Sequence, residues 1–153
     1  TAAPYTCDYR PTSADVGRDT LVAVAVDTAD QTASAVRTVD VPRFKAISLS
    51  AATTPKRDAR APFTFTTKGR LALPAGVTPA AGCKGTIDIS FKAGSKTVSS
   101  RRVALKSNCT YSSKVTFRLP RRLNPKTLSV VAVFGGNDVL DALSAKRHTV
   151  RPR

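Results

Sequence analysis

The sequence predicts an all-β protein built as a disulfide-linked β-sandwich. Residues 83–91 and 109–119 each alternate apolar with polar residues, and each segment begins at a cysteine in the apolar phase. Because successive side chains of a strand point to opposite faces, Cys83 and Cys109 should face one core, where they are well placed to pair. Glu and Met are absent while Thr, Val and Ser are frequent, which favours strands over helices. Turn residues recur roughly every 8–12 residues, a spacing typical of a sandwich.

The length and composition of the chain limit the number of domains and the class of protein. It has 153 residues and a net charge of +15, with 25 Lys and Arg against ten acidic residues, all of them Asp. This length allows one domain or two small ones and is sufficient to bury a core. The sequence contains no apolar run of about 18 residues, so it predicts no membrane-spanning helix. Residues 1–4 do not resemble a signal peptide, so we expect an internal piece of a longer chain or a processed product.

Charge divides the chain near residue 43. Residues 1–43 hold four Arg and six Asp, a net charge of −2, whereas residues 44–153 hold 21 Lys and Arg and four Asp, a net charge of +17. The Pro-containing stretch 41–44 suits a short link between domains. We therefore predict two units, the C-terminal strands of a partial domain in residues 1–43 and a complete basic sandwich in residues 44–153.

Three strands are expected in the first unit. Residues 4–10 alternate like a strand, and residues 21–26 and 32–41 should form a hairpin around a turn at 27–30. Three strands of this length leave one apolar face with nothing to bury it. We therefore expect them to be the last part of a larger sandwich.

Seven strands are expected in the second unit, a number typical of a sandwich. Gly94 and Ser95 should form a tight hairpin turn, while the longer connections between strands lie at 74–82 and 120–126. No helix is predicted beyond a single turn within 140–147. The predicted strands are 46–51, 63–73, 86–92, 97–105, 111–119, 128–134 and 146–151.

Short motifs in both units suggest a family. The first unit contains Ala3-Pro4-Tyr5, a turn at Gly17 and an Asp-Thr-Ala-Asp hairpin at 27–30. The second contains Leu-Ala-Leu-Pro-Ala-Gly-Val at 71–77, Gly-Cys-Lys-Gly at 82–85, Cys-Thr-Tyr at 109–111 and Phe-Gly-Gly-Asn at 134–137. The chain resembles the bacterial immunoglobulin-like (Big-type) repeats of secreted and surface proteins from high-GC Gram-positive bacteria. The resemblance implies an immunoglobulin-like fold and an extracellular location, but no activity.

The three cysteines leave one unpaired. A Cys83–Cys109 bridge would close a loop of about 25 residues and contribute on the order of 3 kcal/mol, the alternative being two reduced buried thiols. Cys7 is then either a free thiol or the partner of a cysteine upstream of residue 1. The resemblance implies the second arrangement, since the front of the first repeat is missing.

The positive charge of the second unit predicts contact with polyanions. Its basic residues within strands fall mostly on even numbers, the outward phase, and a field of this size attracts polyanions without specificity. A dedicated nucleic-acid site would interleave aromatic with basic residues, whereas the aromatics here lie in the core phase. Among polyanionic partners the sequence therefore favours anionic wall or matrix polymers over nucleic acid, while ordinary solubility of an Arg-rich protein also explains the charge. The candidate contacts are Arg101, Arg102, Lys114, Arg118, Arg121 and Arg122.

No catalytic or cofactor site is predicted. His148 is the single histidine and lies among basic residues, and the absence of Glu makes a triad or a carboxylate pair hard to assemble. We expect His148 to be an ordinary surface residue.

Metal binding and glycosylation are also not expected. Asp27 with Asp30, and Asp138 with Asp141, would supply too few oxygens for Ca²⁺, so we expect these residues to cap turns. Asn108 begins an Asn-Cys-Thr glycosylation pattern but is expected only to form the turn before the next strand.

The predicted function is a non-catalytic extracellular module with a structural or adhesive role, as a spacer, stalk or surface component. Its partners would be other immunoglobulin-like domains of the same protein or neighbouring subunits. One alternative is a carbohydrate-binding or accessory module of a secreted hydrolase with an upstream catalytic domain, which would show exposed aromatics in a cleft. Another is a filament subunit assembled by strand complementation, because an open sandwich exposes sheet edges.

Overall fold

The computed structural model describes residues 6–120 and 125–152, and it confirms the all-β prediction. Strands form nearly all of the regular structure, with one four-residue helix in the described part of the chain. In chain order the elements are β1 Gly17–Val26, β2 Thr32–Val41, β3 Ser48–Leu49, β4 Ala52–Thr54, β5 Phe63–Ala72, α1 Pro79–Gly82, β6 Thr86–Ala93, β7 Lys96–Ala104, β8 Thr110–Phe117, β9 Leu128–Phe134, β10 Leu143–Ser144 and β11 His148–Val150.

The strands of the described residues form three antiparallel sheets. β1 and β2 make a two-stranded sheet, in register from Gly17 opposite Val41 to Val26 opposite Thr32. In the second sheet β9 pairs with β6, β10 and β11, and β6 also pairs with β7. In the third sheet β5 pairs with β3, β4 and β8. The second and third sheets pack face to face through one buried cluster, which makes this part of the chain a β-sandwich.

Alternation with period two builds the core between these two sheets. Odd-numbered residues of β5, β6 and β8 point inward, as the sequence predicted, while β9 contributes its even-numbered residues. The ring centroids of Phe65 and Phe91 lie 5.7 Å apart across the core, and that of Phe117 lies 6.0 and 5.7 Å from them. Because the odd residues of β5 and β8 are committed to the core, their even residues form an outer face.

A buried tyrosine holds the third sheet to the segment that follows β3. The Tyr111 hydroxyl donates a hydrogen bond to the carbonyl oxygen of Ser50 at 2.8 Å, and burial raises the pKa of Tyr111 to about 12. The tyrosine passes directly over Gly69, where any Cβ would collide with the Ser50 carbonyl and the tyrosine ring. Glycine is therefore required at this point of β5.

The Cys83–Cys109 disulfide is present, as predicted. It joins the residue after α1 to the residue before β8, with the two Cα atoms 4.6 Å apart and both cysteines buried. Of the two strands that follow the cysteines, the first begins at Thr86, as predicted, and the second at Thr110, one residue before its predicted start, so each cysteine precedes its strand. The bridge thus links the β6 side of the second sheet to the β8 side of the third.

The hairpin of the first unit is confirmed, but its predicted first strand is not. β1 and β2 flank the expected turn, in which the Asp27 carboxylate accepts hydrogen bonds from the backbone N–H groups of Ala29 and Gln31. Of the strand predicted over residues 4–10, residues 6–10 are described, and they are exposed and irregular because no neighbouring strand pairs with them. Cys7 lies in this stretch with a free, exposed thiol.

The second unit differs from the prediction in short elements. The strand predicted at 46–51 shortens to β3, β4 just after it was not predicted, and the last strand shortens to β11. β10 lies within 140–147, where one helical turn was allowed, and the unpredicted α1 begins with a proline, which suits a first helical turn. The domain boundary near residue 43 stays a prediction, although Phe44 already joins the sandwich through a backbone hydrogen bond to Val139 at 2.9 Å.

Candidate functional site

The outer face of β5 and β8 is the most distinctive surface of the sandwich. The two strands pair antiparallel, which places Lys68 opposite Ser112 and Thr66 opposite Lys114. Threonine suits exposed strand positions, and the basic side chains extend from the same face into solvent. We call this surface the cationic face. It consists of Thr64, Thr66, Lys68, Arg70, Thr110, Ser112, Lys114, Thr116 and Arg118.

The cationic face contains basic and hydroxyl side chains but no carboxylate. Its four cations follow a diagonal from Arg118, just beyond β8, through Lys114 and Lys68 to Arg70 on β5, a span of about 27 Å at strand geometry. The nearest acidic residue in sequence, Asp58, is engaged at the start of β5, where it accepts a hydrogen bond from the Thr64 backbone N–H at 2.7 Å. The cations of this face therefore remain without an acidic partner in the described structure.

Of the six predicted polyanion contacts, the four that the structure describes lie in two different sheets, and their contact with polyanions stays a prediction. Lys114 and Arg118 belong to the cationic face, whereas the two arginines at 101 and 102 lie on β7 in the other sheet. The remaining two, Arg121 and Arg122, lie outside the described residues. Lys68 and Arg70 were missing from the predicted set and belong to the cationic face.

Arg102 is already neutralised by a carboxylate. Its Nε and a terminal nitrogen donate to the two oxygens of Asp88 at 2.7 and 3.0 Å, across the β6–β7 pair on the outer face of the second sheet. These hydrogen bonds lower the pKa of Asp88 and raise that of Arg102. A polyanion would have to compete with this carboxylate, so Arg102 is a poor candidate contact.

Arg101 occupies a different kind of position. It lies opposite the buried Ile89 and so in the inward phase of β7, yet its side chain is exposed. β7 forms the edge of its sheet, and an inward-phase charge on an edge strand discourages pairing with another strand. Arg101 therefore has a structural explanation that requires no ligand.

His148 is half-buried, which corrects the prediction of a surface residue. Its Nε2 lies 2.8 Å from the Thr53 hydroxyl, which in turn lies 2.8 Å from the hydroxyl of the buried Thr67. These contacts connect β11 of one sheet with β4 and β5 of the other. Burial, followed by the positive charge of Lys56, lowers the pKa of His148. The neutral imidazole is therefore a structural link between the sheets.

Several residues were considered for metal binding or glycosylation. Those whose side-chain contacts the structure gives form turns. Asp27 caps the β1–β2 turn, as described above, and Asn108 accepts hydrogen bonds from the backbone and hydroxyl of Thr110 at 3.1 and 2.7 Å. Within residues 6–120 and 125–152, no group of three or more His, Cys, Asp or Glu side chains converges in a metal-binding arrangement.

The β1–β2 hairpin exposes an apolar surface. Val22 and Val36 lie opposite each other and are 58% and 67% exposed, and Val24 and Val26 continue the row at 61% and 62%. We call these four residues the valine row. Exposure at this level in four neighbouring β-branched residues is unusual for a strand face, which normally packs against another layer.

Comparison with protein-family models, curated proteins and solved structures gave no match. No helix in the described part of the chain has the length and apolar character needed to cross a membrane.

Proposed function

We propose that this chain is a non-catalytic extracellular module of immunoglobulin-like type, with a structural role and an adhesive capacity toward anionic polymers. The observation that supports it best is the unneutralised positive charge of a covalently cross-linked sandwich. In the described residues two ion pairs form, Arg102–Asp88 and the loose, exposed Arg18–Asp40 contact at 3.8 Å. The remaining cations produce a field that attracts polyanions over distances set by the ionic strength.

The disulfide supports the extracellular part of this proposal. Cys83 and Cys109 link two sheets in the interior of the sandwich, and such bridges form and persist in oxidising compartments. The short motifs that resemble Big-type repeats favour the same location and a role as spacer, stalk or surface component.

A binding assay tests the adhesive part. The folded chain is passed over beads coated with an anionic polymer and over beads coated with a neutral polymer, and retention is measured as salt increases. We expect retention on the anionic beads alone, lost with rising salt as counterions compete. A folded control protein of equal net charge should be retained less. Equal retention of both proteins would mean that net charge alone accounts for the binding.

A second candidate function, assembly with a strand or sheet from another polypeptide, is favoured by the valine row. Apolar association through this row would bury Val22 and Val36, the opposed pair at one end of the row. Sedimentation velocity at rising concentration tests it, with Val22→Thr/Val36→Thr as the variant. Ala25→Ser/Ala33→Ser, an opposed pair on the other hairpin face, is the matched control. A chain that stays monomeric at all concentrations would contradict self-assembly.

The carbohydrate-binding alternative has less support. Tyr9 is the one aromatic among the strongly exposed large apolar residues of the described chain, and its hydroxyl donates a hydrogen bond to Asp19 at 2.8 Å. A sugar-binding cleft usually offers an exposed aromatic platform, and the aromatics of the sandwich pack in its core.

A further inference from the structure

We propose that the cationic face binds a linear polyol phosphate, an acyclic chain with phosphodiesters in its backbone, that lies across β5 and β8. This inference rests on the proposed adhesive function and assigns it to one surface and one class of polymer. It follows from three features of the face, which are its charge, its pairing of cations with hydroxyls and its lack of aromatic side chains.

Each cation on the two paired strands has a hydroxyl neighbour directly across the strand pair. Lys68 faces Ser112 and Lys114 faces Thr66, whereas the hydroxyl of Thr110, opposite Arg70, already donates a hydrogen bond to the Asn108 side chain. Directly opposed side chains have Cβ atoms about 5 Å apart, close enough for both to reach one anionic group. A phosphate offers several oxygens to such a charged and a neutral donor together, which matches this arrangement better than a carboxylate does.

The cations are arranged for an extended ligand. Neighbouring cations on one strand, Lys68 and Arg70, are about 7 Å apart, and the diagonal step to Lys114 is similar. The cations extend along the surface of a sheet, so a chain lying on it can meet them in turn. A compact anion would engage one or two of them only.

The absence of aromatic side chains on this face narrows the polymer class. Single-stranded nucleic acids gain much of their affinity by stacking bases on aromatics, and here Phe63, Phe65 and Tyr111 point into the core. A sugar ring would find no aromatic platform either. The face therefore favours a polymer with neither bases nor rings, in which the phosphates themselves provide the contacts.

Two variants with equal charge test the assignment. Lys68→Gln/Lys114→Gln removes two charges from the cationic face, whereas Lys84→Gln/Lys92→Gln removes two charges from exposed or half-exposed positions elsewhere. Fluorescence anisotropy measures binding of an end-labelled poly(glycerol phosphate) to the whole chain between about 50 and 200 mM salt. Dextran sulfate and single-stranded DNA serve as competitors, and circular dichroism checks that each variant is folded.

The expected result follows from counterion release. With four phosphate contacts the wild type should lose about 50-fold in affinity between 50 and 200 mM salt, and with two contacts remaining the Lys68→Gln/Lys114→Gln variant should lose only about sevenfold. The control variant should keep the steep dependence of the wild type. If the first variant fails to fold, Arg70→Gln/Arg118→Gln removes the other two cations and should give the same result.

The remaining outcomes separate this proposal from the function it rests on. Equal weakening of both variants would show that net charge alone acts, which overturns the assignment to this face and leaves general adhesion intact. Tighter binding of dextran sulfate or DNA than of the polyol phosphate would overturn the polymer class. Absence of wild-type binding at 50 mM salt to every polyanion would overturn the adhesive function as well.

Discussion

Removal of the Cys83–Cys109 disulfide should destabilise the sandwich strongly. The two cysteines are 26 residues apart in sequence, and the loop-closure entropy of a bridge over that separation is worth about 3.5 kcal/mol at 25 °C. For a folding unit of about 110 residues, the entropy of unfolding is near 0.23 kcal/mol per degree. We therefore expect Cys83→Ala/Cys109→Ala to lower Tm by about 15 °C.

The assay combines thermal melting by circular dichroism with urea titration. Every variant carries Cys7→Ser, because the exposed Cys7 thiol would otherwise form disulfides between molecules. Mild reduction of the Cys7→Ser protein should reproduce the loss seen in the double alanine variant, and the same reductant should leave that variant unchanged. The reductant thus distinguishes loss of the bridge from loss of the buried sulfur atoms.

A loss of less than about 1 kcal/mol would refute this reasoning. It would mean that the unfolded chain is hardly restricted by the bridge, or that the bridge does not form in solution. Mass measurement after alkylation of the denatured Cys7→Ser chain separates these cases, because a bridged chain accepts no alkyl group and a reduced chain accepts two.

Three further predictions concern the supports of the sandwich. Gly69→Ala should cost about 3 kcal/mol in urea titration, because its methyl group would collide with the Ser50 carbonyl; an unchanged midpoint would contradict this. Stability should fall as pH drops from about 7 to 5, because the lowered pKa of His148 lets the unfolded state take up the proton first, and His148→Gln should flatten this profile. Asn137→Asp should cost about 2 kcal/mol in thermal melts, because a carboxylate cannot donate to the Gly82 and Lys84 carbonyls that the amide now reaches at 3.1 and 3.0 Å.

Local patterns predicted much of the sandwich because they act over a few residues. Alternation in β5, β6 and β8 determined which side chains face the core, and it placed Cys83 and Cys109 on a common interior. The Gly-Gly-Asn motif at 135–137 has the composition of a turn. Its asparagine proves to connect this turn to the α1 region through several backbone carbonyls, a long-range role that a turn pattern does not reveal.

The cationic face could not be predicted, since it depends on which strands are neighbours. The alternation of apolar and polar residues placed Lys68 and Lys114 each on the outward face of its strand. The two residues are 46 positions apart, however, and no local pattern pairs β5 with β8. The signal present in the sequence was the similarity of the two strands, which both alternate core residues with Thr, Ser, Lys and Arg. That similarity shows that the outward faces of β5 and β8 are alike in composition, but it does not show whether the two strands are neighbours in the sheet.

The two adjacent arginines of β7 show how one irregularity decides a site. Counting back from the tight turn at Gly94 and Ser95 would place Arg101 opposite Asp88 on the outer face. A register shift between Phe91 and Lys92 moves the pairing by one residue, so that Arg102 meets Asp88 and Arg101 turns to the inward phase. Without the bulge the neutralised arginine and the edge-protecting arginine would exchange roles.

Salt separates the two modes of association that this chain offers. Binding of a polyanion to the cationic face releases counterions, so it weakens as salt increases. Association through the valine row buries apolar surface, so it persists in salt and strengthens in sulfate. Measured together, retention on an anionic polymer and self-association in sedimentation should therefore respond to sulfate in opposite directions. A parallel response would mean that one surface serves both processes, which the separation of the valine row on β1 and β2 from the cationic face on β5 and β8 argues against.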